Sequence, residues 1–185
     1  MRASLICLPL TLCFTGWAAQ EKPAAPTPLK FGPRDYFVAH CQRCHGVDGT
    51  NYNPGFAKKD NDAALNADIT RMADGPGNQK LEPEQLAVQL AYHRLMSDGK
   101  PFVSWTGRDG LTLTGEVTDG AKLVAKFGDH SVDLKVDDDD HWKFTMLSAA
   151  DLDHLELTAT LEKKSTTLAL AKASFASIPK EPTKQ

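Results

Sequence analysis

Two thiols separated by two residues and followed at once by an imidazole, Cys41-Gln42-Arg43-Cys44-His45, form the one segment whose residue types and spacing carry a recognisable chemistry. On a helical turn, cysteines at this separation can add to two vinyl groups along one haem edge. The next residue is then carried beneath the iron, where its imidazole can bind. The pattern predicts one covalent haem c, held by thioethers from Cys41 and Cys44, with His45 as the proximal iron ligand. Two other chemistries use the same pair of cysteines. A thioredoxin-like dithiol expects a βαβ setting, whereas this segment reads as helix followed by loop. A reversible disulfide gives no role to His45-Gly46.

The cysteine count narrows this further. Of four cysteines, Cys7 and Cys13 fall in the first eighteen residues, which read as a signal peptide. Arg2 supplies a basic start, Leu5 to Phe14 an apolar run, and Gly16-Trp17-Ala18 the small residues at a cleavage site, placed after Ala18. The run is too short for a membrane span, which needs roughly 20 apolar residues, and no lipoprotein box surrounds either cysteine. The mature chain then keeps only Cys41 and Cys44, too few for a disulfide framework or a four-thiolate zinc site. The expected location is periplasmic or otherwise exported, soluble after cleavage. With 41% hydrophobic and 24% charged residues the composition is that of a globular protein, and a formal charge of −3 leaves no electrostatic footprint for nucleic acid.

The elements that must position the motif follow from periodicity and breakers. Residues 19–30, rich in proline and alanine, read as a linker. The spacing predicts helices over Pro33–Cys44, Asp62–Ala73 and Pro83–Met96. Prolines mark the first and third starts, and Gly75-Pro76-Gly77 and Gly99-Lys100-Pro101 are stops. A loop rich in Gly, Asn and Asp spans Gly46–Gly55. After Pro101 the period changes to alternation, with seven strand-like segments from Phe102 to Ala171 separated by turn clusters. This pattern suggests an antiparallel β-sandwich. The lysine- and proline-containing tail, 178–185, reads as disordered.

Residues from about 32 to 98 resemble the class I c-type cytochromes. The likeness rests on Tyr36-Phe37 ahead of Cys41-Gln42-Arg43-Cys44-His45-Gly46 and on Leu86-Ala87-Val88-Gln89-Leu90-Ala91-Tyr92 in the last helix. The resemblance implies that Phe37 and Tyr92 meet where two helices cross. It covers a little over a third of the chain; the β-region lies outside it and resembles a bacterial immunoglobulin-like module. The implied fold class is multidomain: a small all-α cytochrome c domain over 31–100, followed by an Ig-like antiparallel β-sandwich over 101–177. The sixth iron ligand departs from the family pattern. No Met-Pro precedes the last helix, and Asn78, Gln79 and Lys80 occupy its place. Met72 is the expected sixth ligand, though it lies only 27 residues after His45; His93 and Met96 are its rivals. Met146 falls on a core-facing strand position.

Other polar residues carry weaker signals. His40 reads as a partly exposed helix residue, and His130, His141 and His154 as scattered side chains of the β-region. Asp137 to Asp140 read as a solvated hairpin, able to shape docking to a basic partner. No nucleophile–base set or phosphate loop is visible. The expected function is single-electron transfer between periplasmic redox partner proteins, without enzymatic activity. The β-region would supply a docking or subunit contact, and no nucleic acid or membrane span is expected. Two alternatives stay open: a haem-based ligand-binding or sensing protein with a displaceable sixth position, and a non-catalytic haem subunit of a larger dehydrogenase.

Overall fold

Proline sets the start of two of the helices. In the computed structural model, which describes residues 28–52, 56 and 62–172, α1 (Pro33–His40) opens on Pro33, whose fixed φ suits a first helical turn. Its N-cap, Gly32, brings no side chain to the free N–H groups of that turn. They are taken up instead by a distant carboxylate. Glu116 Oε2 accepts from the Arg34 N–H at 3.0 Å, and its Oε1 from the Asp35 N–H at 3.1 Å. A Cβ at position 32 would run into that carboxylate and displace it from the cap.

The expected first helix, Pro33–Cys44, is broken at Cys41 (φ −121°, ψ −38°), and α2 (Gln42–His45) is a separate turn. A 3-10 turn, Val47–Gly49, follows. In α3 (Asp62–Asp74) Leu65, Ile69 and Ala73 are buried, four residues apart along one face. α4 (Pro83–Ser97) begins with a capping box in which the Glu82 N–H donates to Gln85 Oε1 at 2.9 Å. It ends at Gly99, whose φ of 59° lets the chain turn away. Phe37 of α1 and Tyr92 of α4 meet edge-on, with ring centroids 5.7 Å apart.

Seven strands follow: β1 (Val103–Asp109), β2 (Thr112–Val117), β3 (Lys122–Phe127), β4 (His130–Leu134), β5 (His141–Thr145), β6 (Glu156–Leu161) and β7 (Lys164–Ala169). They form two antiparallel sheets, β1-β2-β5 and β4-β3-β6-β7. The register pairs Leu123 with Ala159 and Ala125 with Leu157, all four buried, so one face of β3 and β6 is apolar as alternation requires. Trp105, Leu113 and Trp142 from one sheet and Leu123, Leu157 and Leu168 from the other share one core.

The expected fold class, a small all-α cytochrome c domain followed by an immunoglobulin-like sandwich, is therefore corrected. Among the described residues two antiparallel sheets of seven strands in total dominate, and the helices are few and short, the longest having 15 residues. The physical reason lies in how the helical segment finishes its own structure. α1 has its first turn capped from β2. Arg34 forms an ion pair with Asp140, and His141 Nε2 meets Asp35 at 3.1 Å. Phe102, at the entrance to β1, packs edge-on against Tyr92 with centroids 4.8 Å apart. Helical period shows which segments coil; it does not show that they close a core by themselves. The segment expected to be a signal peptide, most of the expected linker and the tail 178–185 lie outside the described residues, as does part of the 46–55 loop. No helix among the described residues is long and apolar enough to cross a membrane.

Candidate functional site

The break at Cys41 decides where the motif's side chains go. The Cys44 and His45 N–H groups both reach back to the Cys41 carbonyl, at 3.1 and 3.0 Å, which winds the two cysteines onto one turn. Gly46 then takes φ 74°, ψ 171°, a conformation open to glycine, and redirects the chain. Cys41 faces a cavity and is half-buried, while Cys44 is exposed. Burial, and to a smaller extent the Cys44 thiol, push Cys41 up to about 11, so it is a neutral thiol at physiological pH.

Beside Cys41 lies a narrow, partly open cavity. The turn bearing Cys41 and His45 forms one side. Ile69, Met72 and Ala73 of α3 form an apolar wall, and Gln89 and His93 of α4 face them. Tyr52 and Phe56 are stacked, with centroids 4.3 Å apart and planes within 6°. The Tyr52 ring lies 4.4 Å from His45 and 5.9 Å from His93, so it is an aromatic body in contact with both imidazoles.

His93 is 3% exposed and fully committed in its hydrogen bonding. Its Nδ1 lies 2.7 Å from the Gln89 carbonyl, which can only accept, so Nδ1 carries the proton. Nε2 then keeps its lone pair and accepts from the Tyr52 hydroxyl at 3.0 Å. Burial is the main cause that holds His93 down at about 4, and the neutral form persists throughout the physiological range. His45 is also lowered, by burial. Gln89 is wholly buried, and neither atom of its carboxamide has a partner among the described residues. A buried amide without a partner is costly unless a further polar group meets it.

Tested against this geometry, a covalent haem fits the residues present. The Cys41 thiol, the His45 imidazole beside it, apolar walls, a second neutral imidazole and an unpartnered amide line the cavity, and Cys44, exposed and outside the lining, lies on the same turn as Cys41. Cys41, His45, Met72 and His93 are brought to one cavity. Met96 is not in its lining; it packs with Tyr52 and Tyr92. Met146 is buried in the β-core. His40 is tied to the Gly77 carbonyl at 2.9 Å through Nδ1, and His130 and His154 are exposed. Tyr52, Phe56 and Gln89 escaped sequence reasoning. The only available signal was position: Gln89 lies one helical turn before His93, and the two aromatics lie in the loop that follows the motif.

A second polar group lies at the junction of helices and sheets. Asp35, Glu116 and His141 present ligand-type atoms within 4.8 Å of one another. Both Glu116 oxygens already accept N–H groups of α1, and His141 holds Asp35, which makes this group a helix cap. Burial is the leading cause that raises Glu116 to about 7, against the opposing effect of those N–H groups. The aspartate run also divides. Asp137 closes the hairpin by accepting from Asp139 and His141 N–H groups at 3.1 and 2.8 Å, whereas Asp140 is buried against Arg34 and is not part of a solvated face. Comparison with protein-family models, with curated proteins and with solved structures finds no match to this chain.

Proposed function

We propose that this chain is an exported single-haem c-type cytochrome that carries single electrons between periplasmic redox partner proteins and is not itself an enzyme. The observation that carries the reading is the placement of Cys41 and His45 on one side of a largely apolar cavity with a second neutral imidazole, His93, on another. When bound, the haem supplies a metal that changes its charge by one electron. The chain's residues do the rest. Cys41 and Cys44 hold the group covalently, and His45 binds the iron. The α3 wall of Ile69, Met72 and Ala73 excludes water, and Gln89 offers polar atoms inside the cavity. The apolar run Leu5–Phe14 supports export, and the β-region is available for docking to a partner or subunit.

A spectroelectrochemical titration of the exported holoprotein tests the carrier role. A reversible one-electron wave, with reduced protein that does not take up carbon monoxide, is the expected result. Stoichiometric carbon monoxide binding by the reduced protein would replace the carrier with a ligand-binding or sensing protein.

A further inference from the structure

Taking the cavity as the haem site proposed above, on which this assignment rests, we infer that His93 is the distal iron ligand, so that the axial pair is two histidines. His93 is 3% exposed and lines the same cavity as Cys41 and His45. Nδ1 donates to the Gln89 carbonyl one turn earlier on α4. This is the outer contact that fixes the tautomer and orientation of a metal-bound histidine. Nε2 accepts from the hydroxyl of Tyr52, a residue of the cavity lining whose ring rests against His45, and this is the hydrogen bond that iron would displace. Tyr52 thus meets both imidazoles, His45 of α2 through its ring and His93 of α4 through its hydroxyl.

Neither methionine has a comparable arrangement. Met72 belongs to the α3 wall with Ile69 and Ala73, where a thioether is satisfied by apolar contact and needs no partner. Met96 packs outside the cavity beside Gly49 and Tyr52. The buried Gln89 carboxamide, unpartnered at both atoms, is an independent sign that this face of α4 is built for a polar or metal-bearing occupant.

The test is the visible and near-infrared spectrum of the exported holoprotein and three variants. The expected wild type is six-coordinate and low-spin without the sulfur-to-iron charge-transfer band, and Met72→Leu, although it alters the cavity wall, should keep the iron six-coordinate and low-spin. His93→Ala should become high-spin and bind carbon monoxide when reduced. His93→Met should gain the sulfur band, which keeps the test decisive if the alanine variant does not fold. A sulfur band in the wild type that disappears in Met72→Leu, with His93→Met unaltered, would overturn the assignment while leaving the haem reading intact. If no variant, and not the wild type, retains haem after denaturation, the haem reading itself fails and the ligand assignment with it.

Discussion

The Glu116 carboxylate joins helix to sheet, and its removal has a calculable consequence. Glu116 is 1% exposed and caps two N–H groups of α1. Its carboxyl is raised from 4.5 to about 7, chiefly by burial. A carboxyl raised in the folded state binds its proton more tightly there than in the unfolded chain. The stability it contributes is therefore fully present below about 4.5 and is lost as pH rises through about 7. At roughly 1.36 kcal/mol per unit, the loss is on the order of 3 kcal/mol. His141 runs in the same direction. Burial lowers it, but Asp35, Glu116 and Asp137 together raise it above 6.5, so its contribution is present below 6.5 and also fades as pH rises. Thermal unfolding of wild type and Glu116→Gln between about pH 5 and pH 8.5 reads the effect. The wild type should lose roughly 5–10 °C in Tm across that span, given about 2–4 °C per kcal/mol for a chain of this size. The glutamine variant cannot ionise and should show a much flatter profile, at the constant cost of one N–H left without an acceptor, about 1–3 kcal/mol. Parallel profiles for the two proteins would refute the reasoning.

Gly32→Ala should act through the same carboxylate, since its Cβ would displace Glu116 from the α1 cap. Urea unfolding should show a loss of about 2 kcal/mol, and the double variant with Glu116→Ala should lose much less than the two single losses added. Tyr52→Phe deletes the hydroxyl that serves His93 Nε2. Haem-free protein carrying it should lose about 1–3 kcal/mol by the same measurement, because a buried acceptor is left without a donor.

The chemistry of the site is legible in the sequence because it is local. Five consecutive residues contain both thiols and the imidazole proposed as the proximal ligand, and prolines and glycines mark the ends of α3 and α4. Strand positions are legible from alternation: Leu123 and Ala125, or Leu157 and Ala159, announce their buried face without reference to partners. What escapes depends on residues far apart in sequence. No local pattern shows that Glu116 will cap α1 or that Asp140 will turn inward to Arg34, and these contacts tie the helices to the sheets. The fold class expected from the sequence fails for that reason. The break at Cys41 is hidden because the residues on either side are compatible with one continuous helix. His93 can be recognised as a candidate, but its partners, a carbonyl on one nitrogen and a tyrosine hydroxyl on the other, exist only in three dimensions.

The measurement that tests the central claim most directly is the intact mass and visible spectrum of the exported protein after denaturation. One haem should be retained on the unfolded chain, and it should be lost completely when Cys41 and Cys44 are both replaced by serine. A chain that exports without any covalent haem, with Cys41 and Cys44 joined as a disulfide, would contradict the assignment.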